Sequence, residues 1–458
     1  MKRNKITRRE FLKGLAIAGA GTMGASVLAS CVPQPPPAPA ATVTAAAPAT
    51  AAAPVELRVG LCWVSIPEMH KAEENLVAQF NEQNPGIKVT WEDYDPEKFL
   101  VQSAAGAAPD VVLGPVPSWG PAGGVLDLMP YAKGEPGFLE DFAEVPIKEN
   151  TWRGKLFWIP NATITWNILY YNIELFEKAG LDLPDIEKNW TWDYFLECCQ
   201  KLTVKEGDQV KQMGYSNWWD PAMNGIWVES NHGRWFKEDM TEVMFDKTEA
   251  VEGLQFLTDL VHKYNVAPKE EQAAAVSGKA YEMVGFVNQQ IAMVHSGTWE
   301  MSILKDAKFR FGFSLVPVSR KDYLGERICY IGSGFCFAIA ASTKHPDEAW
   351  QVVKFVSSKE AQLARPWNFP ARKSAIAALQ ANPPEQYWPK DLMDAMAGMV
   401  QSPQAAMCPT RHVEWDADFG TAFGKYWDML KLGQISAKEA MEKAAAECNP
   451  LLKKWAEK

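Results

Sequence analysis

Trp63 and Trp119 each follow a short apolar run, one ending at Leu61 and the other at Leu113, so both fall in connecting segments. In an open sheet of parallel strands such connections leave the carboxyl ends, where ligands collect. An indole plane beside hydroxyls and amides suits a ring with C–H patches on its faces and hydroxyls on its rim, which is the chemistry of a saccharide. Ser118, Asn161 and Ser333 are candidate hydrogen-bonding partners, with turn formation as their alternative role. The chain holds nineteen tryptophans, and most of so many must serve packing; Trp350, Trp427 and Trp455 lie at helical positions and read as core.

Motifs of covalent and metal chemistry are missing. The one GxGxxG, at Gly19, Gly21 and Gly24, lies inside an export signal and is no nucleotide site. No GxSxG, P-loop, HExxH or calcium loop occurs, and the six histidines are scattered without metal spacing. No cofactor and no metal are expected. Asp110 after Pro109 reads as a structural carboxylate, Asn172 as a residue that satisfies backbone, and His295 as a packing residue. A carboxylate pair for glycoside hydrolysis is assembled in space from distant positions, so a secreted carbohydrate-active enzyme stands as the alternative reading.

The elements that must position these residues alternate. Leu57 to Leu61 reads as a strand; Pro67 opens a helix with Met69, Ala72, Leu76 and Phe80 on one face, which Asn84-Pro85-Gly86 stops. Ile87, Val89 and Trp91 alternate with polar residues, and the continuous run Val111-Val112-Leu113 suits a parallel strand covered on both faces. Asp246 and Glu249 have capping-box spacing ahead of a helix with Val251, Leu254, Leu257 and Val261 inward. Pro346 opens a helix with Ala349, Val352, Val353 and Val356 inward, Phe311 to Ala341 reads as strands and turns, and Ala437 to Trp455 as a closing helix. The order predicts a doubly wound α/β layer, and the roughly 400 residues predict two lobes.

The start of the chain is an address. Arg8 and Arg9, followed by Phe11, Leu12 and Lys13, precede an apolar stretch from Leu15 to Leu28 that is too short to span a bilayer. This closely resembles a twin-arginine export signal, a route that carries proteins already folded. Leu28-Ala29-Ser30-Cys31 resembles a lipobox, which makes Cys31 the lipidated first residue of the mature chain and the membrane anchor. Residues 31–55 are an extended tether of Pro, Ala, Thr and Val. Residues 1–30 hold six basic residues and one acidic, so the remainder keeps 40 basic against 55 acidic. Such an acidic domain is unsuited to nucleic acid. Seven cysteines remain after Cys31, an odd number, so at least one is expected as a free thiol.

NPGIKV (84–89), AAGAAPDVVL (104–113), GVLDL (124–128), GKLFWIP (154–160), LYYNIELFEKAGL (169–181) and WTWDYF (190–195) occur in an order that resembles family 1 extracellular solute-binding proteins of ABC importers. IAMVHSGTW (291–299), GSGFCFAIA (332–340), HPDEAWQVVKFVSSKEAQ (345–362) and FPARKSA (369–375) continue it. Phe369 departs from the leucine usual before that proline, and Pro383 to Trp427 matches no motif. The resemblance implies a two-lobed fold of the periplasmic-binding-protein type, class II, with solute held in the cleft and closure presented to a membrane permease. It places crossovers near Thr165, Val294 and Ser358, hence lobe I at 56–165 plus 295–358 and lobe II at 166–294 plus 359–458. Trp299 then joins Trp63 and Trp119 at the cleft, and Trp166, Trp218, Trp219 and Trp367 complete the candidate set against a packing role for each. The expected solute is a sugar or oligosaccharide, the expected state a monomer. A ligand-sensing receptor would use the same fold and differ in partner.

Overall fold

Val111, Val112 and Leu113 form a run with no polar residue inside it, and in the computed structural model their strand, Val111–Gly114, is buried on both faces as that pattern requires. It pairs in parallel with Val55–Leu61, which pairs in parallel with Ile87–Asp93. Cys336–Ile339 adds on the other side, antiparallel, followed by Ile159–Pro160. The structure describes residues 53–456, apart from 63–66, 115, 208, 218, 270–271, 273–281, 305–306, 385–388, 401, 403–404, 412–414 and 416. Cys31, Arg8, Arg9, Trp63 and Trp218 therefore lie outside the described residues.

Two layers cover this first sheet. On one face Leu57, Val59, Val111, Leu113 and Ile339 meet Phe80 of the helix Pro67–Gln83 and Val352 and Val353 of the helix Pro346–Val356. On the other, Val112 and Ala338 meet Phe99, Trp119 and Trp158. Asn84 ends the first helix by donating its side-chain amide to the Phe80 carbonyl at 2.8 Å. Asp110 is structural as expected: its carboxylate accepts from the Arg58 N–H at 2.9 Å and from the Thr343 hydroxyl at 2.7 Å. The capping box is not realised, because the helix starts one residue later, at Thr248–His262, with Lys247 at its N-cap and no side-chain cap.

A second sheet has the order Ser216–Asn217, Met293–Ser296, Ile168–Asn172, Phe311–Ser314. A third, small one joins the two: Phe369–Pro370, Ala162–Thr165, Cys329–Ser333, Ala405–Ala406. The resemblance placed a crossover near Val294. That residue sits inside the second sheet opposite Tyr170, and the chain returns to the first sheet only after Cys329–Ser333. Beyond the expected motifs, helices Lys390–Val400, Ala417–Lys431 and Ala437–Ala456 close the second half; Phe423 and Trp427 of the middle one pack with Met441 and Ala444 of the last. Among the described residues no helix is long and apolar enough to cross a membrane.

Arg365 and Glu73 tie the helix Pro67–Gln83 to the segment that leaves the first sheet. Their two hydrogen bonds measure 2.6 and 2.7 Å, and both side chains are buried. Burying the pair costs desolvation, but removing one partner strands a charge. Arg365→Ala should therefore lose about 3 to 5 kcal/mol of stability in urea unfolding, while Glu73→Gln combined with Arg365→Met should lose less than the two single losses added. Cys62, Cys198, Cys199, Cys329, Cys336, Cys408 and Cys448 are all buried, and none of them forms a disulfide. Burial pushes the thiols of Cys62, Cys198, Cys329 and Cys448 up to about 12. Maleimide at pH 8 should leave these seven unlabelled in the native protein and label them in denaturant, counted by intact mass.

Candidate functional site

The register of the crossover strands decides which side chains can meet a ligand. Thr165 lies opposite Ile331, Ile164 opposite Gly332 and Thr163 opposite Ser333. Opposed residues in an antiparallel pair share a face and alternate along the strand. Thr163, Thr165, Ile331 and Ser333 therefore share one face, where Ile331 packs with Phe369 and Ile376. The other face carries Ile164 and Gly332, and Trp166 continues it.

Trp166 is half-buried and meets the half-buried Trp299 edge to face, with ring centroids 5.4 Å apart and planes at 70°. Glycine makes room for this corner. A Cβ on Gly332 would lie 3.1 Å from Trp166 Nε1 and 3.2 Å from Glu149 Oε2, so the indole and the carboxylate both rest over that strand. A Cβ on Gly297 would overlap the Trp299 ring, which lies on the glycine backbone. Trp299 sits in the turn Thr298–Glu300 directly after the strand Met293–Ser296. Its Nε1 donates to Glu300 Oε1 at 2.9 Å, and the same oxygen accepts from the Ser296 hydroxyl at 2.7 Å. Thr298 Oγ1 accepts from the Thr165 N–H at 3.3 Å, which locks the turn to the crossover. Trp166 Nε1 is a buried donor with no hydrogen-bond partner among the described residues.

The other candidates go elsewhere. Trp119 is 3% exposed and stacks on Phe99 at 3.9 Å, so core packing accounts for its ring; Ser118 is half-buried in the same turn. Trp219 meets Trp427 edge to face at 6.0 Å. Ser333 points to the covered face, where its hydroxyl accepts from Asn150 Nδ2 at 2.6 Å. Asn161 accepts from Arg365 at 3.3 Å and, with the buried Trp367, borders a shallow dent beside Met69 and Leu113. Asn172 caps the helix Ile173–Lys178 by accepting from the Leu175 N–H, as its backbone-satisfying reading implied. His295 is fully buried against Trp227, and burial depresses its imidazole to about 3.

Sequence reasoning missed Glu149, Glu300 and Glu229. Only Glu300 left a local signal, since Ser296, Trp299 and Glu300 stand together within five residues. Glu229 accepts from the Tyr330 hydroxyl at 3.5 Å and pairs with Arg234 at 3.3 Å. Burial nevertheless pushes its carboxyl up to about 7, with Arg234, Tyr330 and His232 opposing the shift. Among the described residues no group of three or more His, Cys, Asp or Glu could hold a metal ion.

A carboxyl whose folded pKa is raised stabilises the fold fully below its unfolded pKa and loses that contribution as pH rises through the folded one. Between pH 4.5 and 7 the wild type should therefore lose stability relative to Glu229→Gln, by on the order of 3 kcal/mol in total. Urea midpoints of both proteins across that range measure it, and parallel curves would refute it.

Solved structures share the fold over nearly the whole chain. An ABC substrate-binding protein from Listeria monocytogenes, in complex with cycloalternan, superposes with a TM-score of 0.71 at 22% identity, covering 87% of this chain and 98% of that one. A Thermus thermophilus maltotriose-binding protein bound to maltotriose gives 0.67 at 21%, covering 86% and 99%. By sequence, an arabinooligosaccharide-binding protein of Halalkalibacterium halodurans is 26% identical over 204 residues, 42% of this chain but only 44% of its own length. A multiple sugar-binding protein of Streptococcus mutans is 22% identical over 309 residues, 64% of this chain and 70% of that one. The model of the bacterial extracellular solute-binding proteins, a family of binding proteins by its own description, matches residues 65–363, well over half of the chain, and the chain belongs to that family.

Proposed function

We propose that this protein captures a saccharide, of oligosaccharide size, outside the cytoplasm and delivers it to the permease of an ABC importer. The observation that carries this is the perpendicular Trp166–Trp299 pair at the crossover, half-buried, with an unpartnered indole N–H beside it. One ring offers a face to the C–H patches of a sugar, and the free N–H offers a donor to a hydroxyl. The names of the sequence relatives, an arabinooligosaccharide-binding and a multiple sugar-binding protein, support the same solute class.

Capture proceeds by closure of two lobes that exchange chain at 162–165, 329–333 and 369–370. A solute that touches both lobes binds the closed form more tightly and shifts the equilibrium toward it. The lipid on Cys31, reached by the Arg8–Arg9 signal, and the tether to residue 55 keep the monomeric receptor beside its permease.

A thermal-shift panel of neutral and acidic oligosaccharides tests the solute class, because a ligand at a hundred times its dissociation constant stabilises by about 2.7 kcal/mol. Sustained turnover of any member of the panel would replace capture with catalysis. Trp299→Ala should weaken binding of the best solute at least tenfold, about 1.4 kcal/mol, with the unliganded melting temperature little changed. Glu300→Ala frees the Trp299 ring and should weaken binding in the same direction, whereas equal affinity in both variants would remove this corner from the site.

A further inference from the structure

A cleft of about 540 Å³ opens at the seam between the two halves of the chain, and neither Trp166 nor Trp299 lines it. One wall is the end of the helix Glu144–Glu149 and the hairpin that follows, with Lys148, Trp152 and Arg153; these pack on the first sheet through Ile147 and Leu156. The facing wall runs from Glu229 to Met240 with Arg234 and Lys237, and is anchored in the helical half through Trp235. Four cations thus face one cleft in a chain whose formal net charge is −10.

The carboxylates beside them do not neutralise the group. Glu229 is committed to Arg234, and Glu238 is left against the other three, joined by the exposed Asp239, which acts on Lys237 from outside the cleft lining. The Lys148 and Lys237 ammonium groups have no hydrogen-bond or ion-pair partner among the described residues. Arg153 holds a left-handed backbone, φ 48°, in a two-residue hairpin turn where asparagine or glycine is the usual choice. Its guanidinium, 4.6 Å from the Trp152 ring centre and donating to the Trp455 carbonyl at 3.1 Å, is thereby fixed at the cleft. Like charges on two facing walls repel when the cleft holds only water, and an anion between them reverses the sign of that interaction.

We infer that this seam is a second binding site, for a small polyanion bearing two or more carboxylate or phosphate groups, and that its occupancy is coupled to solute capture. The volume falls in the range of small-molecule sites. Because the walls belong to different lobes, a bound polyanion stabilises one hinge angle over others, and linkage then makes it change solute affinity by the factor with which solute changes its own. The coupling rests on the capture function proposed above; the anion site does not.

Calorimetric titration of the whole protein with citrate and with pyrophosphate, at ionic strength held constant with potassium chloride and with acetate as the monovalent control, tests it. At least one polyanion should bind more tightly than about 1 mM, and the double variant Lys148→Gln, Lys237→Gln should bind it at least tenfold more weakly with an unchanged unliganded melting temperature. Preference for citrate or for pyrophosphate identifies the group taken. Binding no tighter than acetate for both, or equal binding by the double variant, would overturn the site. The best saccharide of the panel is then titrated with and without the polyanion, and equal affinities would overturn the coupling. Saccharide binding without polyanion binding would leave the capture reading standing alone, and the converse would leave the seam site standing alone.

Discussion

The antiparallel pairing of Ala162–Thr165 with Cys329–Ser333 is the constraint on which the rest of this molecule depends. Ala162–Thr165 runs directly from Ile159–Pro160 of the first sheet into Ile168–Asn172 of the second, and Cys329–Ser333 leads back into Cys336–Ile339 of the first. Because register and face are linked, the single alignment of Ile164 with Gly332 decides that Trp166 lies over a glycine and that Ser333 is turned away. A slip by one residue would exchange the two faces, turning Ile331 out of its apolar packing and Trp166 away from Trp299. The proposed site and the proposed hinge are thus one hydrogen-bonded object.

Polar groups gather around this ribbon because backbone must change sheets there without losing its hydrogen bonds. Glu149 accepts from the Ser333 N–H, Asn167 from the Tyr330 N–H and Thr298 from the Thr165 N–H. Each is a side chain standing in where a neighbouring strand would otherwise supply a carbonyl. The hydroxyls of Thr163 and Thr165 nonetheless find no partner among the described residues. Buried polar atoms left in that state disfavour a single frozen arrangement, since another hinge angle costs them little. That is a physical reason for a moving joint to be polar where a static one would be apolar.

How much of this was legible in the sequence depended on range. Pro67–Gln83, Pro346–Val356 and Ala437–Ala456 were readable because apolar spacing and proline placement are local signals. The sheet that takes in Val294 was not readable: its partner is set by Tyr170, more than a hundred residues away, whereas the crossover near Val294 came from the resemblance alone. Within the candidate site, Trp299 could be singled out from its turn, and the loop position of Trp119 suggested the same role. Burial separates them. Gly120 and Gly124 allow Phe157 and Leu100 to close over the turn that carries Trp119, drawing its ring onto Phe99, whereas Gly297 holds the Trp299 ring flat at the surface of the crossover. Seam cations were illegible for a related reason, since Lys148 and Lys237 meet only through tertiary folding.

Buried cysteines connect this fold to its start. Seven buried thiols spread through the two halves are stable once folded, because burial removes access to all of them and raises the pKa of Cys62, Cys198, Cys199, Cys329 and Cys448. The unfolded chain has no such protection. Released unfolded into an oxidising compartment, it would offer seven reactive sulfurs in an ensemble that permits many wrong pairings. A chain that folds in a reducing cytoplasm and is exported afterwards avoids that exposure, and the arginine pair at Arg8 and Arg9 resembles the signal of such a route. Buried thiols are what an order of folding before export protects, and the adjacent Cys198 and Cys199, both fully buried in the helix Trp192–Leu202, are where reversing that order would be felt most directly.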